Sequence, residues 1–126
     1  MKTYKIPLAV LIALVALALI NGGIITRQCT RWRTQTEAMD ALARAGQWAQ
    51  AEETWKTLSA SWESWEKYLQ IVTEHNEVET VDAIMKECRV LLHQQNSDTL
   101  SLSVAQLDGH FTHLGEMQAL SVSNLL

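Results

Sequence analysis

The sequence predicts an all-α protein: an N-terminal transmembrane helix followed by a small antiparallel helical bundle. Three observations carry this. The 126 residues are 48% hydrophobic with only five Gly and one Pro, a composition that suits helices better than a turn-rich sheet. Ile6 to Ile20 contains no charged or polar side chain, whereas charge is frequent from Glu37 onward. Finally, Trp48, Trp55, Trp62 and Leu69 recur every seven residues, each followed three residues later by Ala51, Leu58, Trp65 or Val72, the a and d positions of a helical seam.

Residues 1–5 form a short basic tail carrying Lys2 and Lys5. The anchor follows over residues 6–25, interrupted only by Asn21, Gly22 and Gly23. As a helix it spans roughly 30 Å, the thickness of the bilayer's hydrocarbon core. Backbone amides in hydrocarbon need internal partners, so such a stretch is stable there only as a helix, and Pro7 near its start removes no needed donor. A cleaved secretory signal is the rival reading, since Lys2, Lys5 and the apolar run also fit one. The region Ile20 to Ile24 lacks the small-residue cleavage pattern, and Thr26, Arg27 and Gln28 before Cys29 are not the small apolar lead-in of a lipoprotein cysteine, which favours an uncleaved anchor. A juxtamembrane segment, residues 26–33, carries Arg27, Arg31, Trp32 and Arg33. Those three arginines balance Lys2, Lys5 and the amino terminus by the positive-inside rule, so orientation is decided by architecture: a short N-tail before a long domain places the cell-membrane protein's C-terminal domain outside the cytoplasm.

Residues 34–126 are expected to form the helical domain. Thr34 with Glu37 reads as a capping box opening a helix near 36–45, which ends at the Ala45-Gly46 turn. The heptad seam then predicts a helix over 47–74, with Glu52, Glu53, Glu63, Glu66 and Lys67 largely off the apolar face. A break is placed near His75, with Asn76 and Glu79 as a second cap. Val78, Val81, Met85, Cys88 and Leu92 then repeat the spacing over 77–94. The polar run Gln94 to Asp98 is a boundary, and Ser97 or Asp98 caps a last helix over 98–119 with a stripe of Leu100, Val104, Leu107, Phe111, Leu114 and Met117. Short connections make neighbouring helices antiparallel, so these stripes close as an up-down bundle.

Charge excludes one class of partner. Residues 34–126 hold five basic side chains against fourteen acidic ones, a net of −9, and lack the basic stripe that nucleic-acid binding needs. Cys29 and Cys88 lie too far apart in the pattern to form a disulfide framework, and Cys88 falls in an apolar register as a packed thiol. No Gly-rich phosphate loop, nucleophile elbow or paired-cysteine motif occurs, so no catalytic residue, no enzymatic activity and no cofactor is expected. His110, His113 and Glu116, at i, i+3 and i+6, are candidate metal ligands, and His75 with Glu74, Glu77 and Glu79 is a second cluster that reads first as hydrated surface. Helical zinc sites typically pair two His at i, i+4 with a Glu beside the first, and position 111 is Phe, so hydrated histidines beside the apolar stripe fit the spacing better.

The Trp ladder reads first as core, because residues on one helical face usually bury against the next helix. Trp62 and Trp65, with the closing Asn124, Leu125 and Leu126, are the candidate contacts for a protein partner or a second copy. Gly46, Trp48, Ala51, Trp55 and Leu58 look like half of a tetratricopeptide unit, but no repeat at a period near 34 follows. A broader resemblance covers nearly the whole chain: the anchor, the Trp-spaced helix, Trp65 followed by His75, the Val78 to Leu92 helix, and the ending Leu120-Ser-Val-Ser-Asn124-Leu-Leu126. In these it resembles the DUF4363-type family of small bacterial membrane proteins. The resemblance implies a Gram-positive-type envelope setting, with one anchor and a helical domain as the full product, and implies no activity, cofactor or catalytic residue. The function expected is therefore that of a membrane-anchored helical interaction module, the alternative being an envelope sensor that binds a metal ion or small ligand.

Overall fold

Hydrophobic runs and seams resolve into four helices in a computed structural model that describes residues 4–125, with side chains described from Tyr4 to Gln118. They are α1 (Lys5–Arg44), α2 (Trp48–Val72), α3 (His75–His93) and α4 (Ser97–Leu125), and no strand occurs among the described residues. Pro7 sits in the first turn of α1, where the amide it lacks has no helical acceptor.

α1 departs from the expectation. Residues 26–33 and the helix expected from near Thr34 are not separate elements; one helix of 40 residues, about 60 Å at 1.5 Å per residue, runs through both. Thr34 caps nothing, and its hydroxyl instead donates to the Thr30 carbonyl one turn back (3.0 Å). The reason for continuity lies in the buried residues of α1: Gly22, Ile25, Cys29, Trp32, Thr36, Met39 and Ala43. Their spacing alternates three and four, so from Gly22 onward the helix presents one unbroken seam to the bundle.

The turns are short and each has its own backbone device. After α1, Gly46 adopts φ +76°, its N–H donates to the Ala43 carbonyl (3.0 Å) and that of Gln47 to the Leu42 carbonyl (2.9 Å), a Schellman closure that the Ala45-Gly46 pair had suggested. After α3 the same geometry recurs without glycine: Gln95 takes φ +53°, with Gln95 N–H to Leu92 O and Asn96 N–H to Leu91 O, both 3.1 Å. The break expected near His75 falls at Thr73 and Glu74, both extended. Asn76 and Glu79 lie inside α3 and do not cap it. Nor do Ser97 and Asp98 cap α4; they are its first residues, and the Asn96 carboxamide oxygen accepts from the Thr99 N–H (3.2 Å).

Packing follows a ring in chain order, α1 on α2, α2 on α3, α3 on α4 and α4 back on α1, the last contact being the most extensive. Each neighbour is antiparallel. The heptad seam of α2 faces inward as expected, with Ala51, Leu58, Trp62 and Leu69 buried and Trp48, Trp55, Trp65 and Val72 at its edges. Val78, Val81, Met85, Cys88 and Leu92 of α3 and Leu100, Val104, Leu107, Phe111 and Leu114 of α4 complete the core. The result is a four-helix bundle with coiled-coil-like spacing on every strand of its core. From Lys5 to Ile20, by contrast, α1 has no buried residue.

Candidate functional site

The level at which α1 enters the bundle concentrates the unusual side chains of the molecule. Trp32, fully buried, lies at the centre of an aromatic cluster: its ring is 5.2 Å from Trp62 and 6.4 Å from Trp65, both edge-on, and 5.3 Å from Phe111 of α4. Such pairs add about 0.5–1.5 kcal/mol each beyond burial, so the cluster ties α1, α2 and α4 together at one height. Its polar edge is satisfied at Ser61, whose Oγ accepts from Trp32 Nε1 (3.0 Å) and from Gln28 Nε2 (3.1 Å). The Trp62 indole N–H is buried with no acceptor among the described residues.

Below this cluster, toward the free part of α1, the side chains change character. Trp65 is half-buried and stacks edge-on against exposed Tyr68 at 5.8 Å. Asn21, Ile24, Ser64, Trp65 and Tyr68 line a shallow groove of about 360 Å³. Beyond it Ile71, at 81% exposure, is the most exposed large hydrophobic residue among the described side chains of the bundle. A second hollow, of about 250 Å³, lies on the α1–α4 side between Cys29, Arg33, Thr112 and Glu116. Arg33 there donates to Asp108 at 3.2 Å.

The expected site residues separate in this geometry. Trp62, a candidate partner contact, is only 1% exposed and belongs to the core, because the seam of α2 closes on Trp32 and Phe111 of the same chain. Trp65 alone of the pair reaches the surface. Asn124, Leu125 and Leu126 lie outside the residues whose side chains are described. His110, His113 and Glu116 are not brought together: His110 Nδ1 lies 2.6 Å from Glu77 Oε1 on α3, while His113 and Glu116 are exposed. No cluster of three His, Cys, Asp or Glu side chains able to hold a metal occurs among the described residues. An i, i+3, i+6 set drifts around a helix, and the partly buried Glu77 carboxylate in the first turn of α3 claims the inward His.

Both thiols are inert by environment. Burial pushes the Cys29 thiol up to about 11, and burial, aided by the Glu87 charge, pushes Cys88 up to about 12, so both are protonated packing groups at neutral pH. On the α2–α3 flank the Glu66 carboxyl is raised by partial desolvation and then by Asp82 and Glu63 nearby. This is the local expression of an acidic outer surface.

The family model described as "Domain of unknown function (DUF4363)" matches residues 21–125. The chain belongs to the DUF4363 family. The match begins at Asn21, one residue before the first buried position of α1, so the DUF4363 unit corresponds to the four-helix bundle and the exposed apolar half of α1 precedes it. No curated protein matches the chain. No solved structure matches it either.

What sequence reasoning missed is the part of the core that α1 supplies. Ile25, Trp32 and Met39 recur every seven residues and carry the signal, but Gly22, Cys29, Thr36 and Ala43 between them are small or polar and hide the stripe.

Proposed function

We propose that this DUF4363 protein is a single-pass, membrane-anchored interaction module of a bacterial envelope, with its bundle on the extracytoplasmic side. The observation that carries the reading is the division of α1. Its first half is apolar on all sides and has no buried residue, a pattern suited to lipid, and its second half is a working seam of the bundle. A signal peptide removed near Ile20 to Ile24 would cut inside a helix that is already paired with α2 and α4 at Gly22 and Ile25, which favours retention of the anchor.

Because the Trp ladder is spent on the chain's own core, contact with a protein partner falls to the outer faces. These are dominated by carboxylates, fourteen against five basic residues from position 34 onward, and they suit a partner of opposite charge that docks on α3 and α4 beside exposed Val90 and Leu102. The test is a photo-crosslinking residue placed at Val90 or Leu102 in native membranes, followed by carbonate extraction. The expected result is a discrete crosslinked species retained in the carbonate-resistant membrane fraction. Chain released by carbonate, or one that yields no recurring adduct from either position, would contradict the reading.

A further inference from the structure

We infer that the lower end of the bundle is seated in the interfacial layer of the bilayer, with Ile24, Trp65, Tyr68 and Ile71 at the depth of the lipid headgroups and Arg27 and Arg31 at the phosphates. This rests on the membrane-anchor reading and deepens it by assigning a second surface of the same protein to phospholipid.

Length makes the first argument. The free part of α1, Lys5 to Ile20, covers about 24 Å as a helix, against a hydrocarbon core of about 30 Å. A span that fills the core must therefore continue to about Ile24 or Ile25, four residues into the segment that packs against the bundle. A bundle held off the membrane on a stalk leaves the span several ångströms short.

The side chains at that level make the second. The outward residues of the last turn of α2, Tyr68, Gln70 and Ile71, are uncharged and lie between exposed Lys67 and exposed Glu74, although the bundle as a whole is strongly acidic. Tyr68 is 38% exposed and Trp65 half-buried, both amphipathic rings of the kind that favours the membrane–water boundary, and Ile71 projects an aliphatic side chain beyond them. The groove between Ile24 and Tyr68 opens at the same level, with Ile24, Trp65 and Tyr68 as its apolar walls and Asn21 and Ser64 as polar ones, a mixed lining suited to the glycerol region of a lipid.

Charge makes the third. Arg27 and Arg31 are exposed and form no ion pair with any described side chain, unlike Arg33, which Asp108 engages. They stand roughly 3 and 9 Å above Ile25 along α1, within the headgroup layer that flanks the hydrocarbon core. The acidic body above them would be repelled by anionic lipid, so this basic collar, with Trp65, Tyr68 and Ile71 beside it, defines which end of the bundle faces the membrane.

The experiment is site-directed spin labelling of the full chain in phospholipid vesicles containing an anionic component, with collision rates for oxygen and for a water-soluble nickel complex. Buried, protonated Cys29 and Cys88 leave single introduced thiols as the reactive ones, so Leu14→Cys, Ile71→Cys and Val90→Cys are compared. The expected result is an oxygen-to-nickel ratio highest at position 14, lowest at 90, and at 71 several-fold above 90. A label at 71 as nickel-accessible as that at 90, with 14 still deep in lipid, would overturn the seating while sparing the anchor. A label at 14 exposed to nickel would overturn both.

Discussion

The two halves of α1 share one helix and little else. From Lys5 to Ile20 the residues are apolar around the whole circumference and none is buried; from Gly22 to Ala43 only every third or fourth residue is buried, and those include Gly, Cys and Thr as well as Ile, Trp and Met. Hydrophobicity and burial are therefore inverted along the helix: the more apolar half is the more exposed. In water such an arrangement is costly, because leaving aliphatic side chains wet costs about 25 cal/mol per Å². The comparison teaches that α1 is written for two environments, an apolar one for the first half, which the proposed anchor places in lipid, and protein for the second, and that the polypeptide changes from one to the other without a linker.

The largest way to break the comparison is Trp32→Ala. It empties the centre of the aromatic cluster and removes one of the two donors to the Ser61 hydroxyl, so bundle stability falls by about 3–5 kcal/mol in chemical denaturation followed by Trp fluorescence. Leu14→Ala, on the same helix, leaves that stability unchanged. The opposite perturbation is Leu14→Arg, which places a charge near the middle of the span at a cost of about 2.5–3.5 kcal/mol for insertion. Carbonate extraction should show the protein lost from the membrane fraction, while far-UV circular dichroism of the released chain still melts as a bundle.

A smaller effect tests the packed half through its thiols. Cys29 and Cys88 have folded-state values raised to about 11 and about 12 by burial, above the ordinary thiol value they regain on unfolding. The stability that each contributes is therefore complete below that ordinary value and is lost as pH rises through the folded one. Across that alkaline window the bundle loses stability, and Cys88→Ala is expected to flatten the slope relative to the parent chain. The smallest effect lies at the far end of the bundle: Gln95→Gly, which relieves a left-handed residue at φ +53°, raises stability by about 1 kcal/mol by the same denaturation assay.

Legibility in the sequence followed the same division. The seams of α2 and α3, with Trp48 to Val72 and Val78 to Leu92, were readable because large apolar residues occupy nearly every inward position. The apolar run from Ile6 was equally plain. The packed half of α1 was not, because its a positions are Gly22, Cys29, Thr36 and Ala43, small residues that let neighbouring helices approach closely but raise no hydrophobic signal. Arg27, Arg31 and Arg33 on its outer side then read as an end to the helix after the apolar run, and Thr34 with Glu37 imitates a helix start. Residue types also could not separate Trp62 from Trp65: both lie on the seam, and only the positions of Trp32 and Phe111 decide that the first is enclosed and the second reaches the surface. The pairing of His110 with Glu77, 33 positions apart, has no local signature.

The continuity of α1 across Gly22 and Gly23 is the central claim, and a distance measurement tests it most directly. Spin labels at Leu14→Cys and Ala38→Cys in the full chain, reconstituted in vesicles and read by double electron–electron resonance, are separated by about 36 Å if one straight helix joins them. A single narrow distribution near that distance is the expected result. A broad distribution, or one centred well below it, would mean that the glycine pair is a hinge and that lipid span and bundle are two bodies.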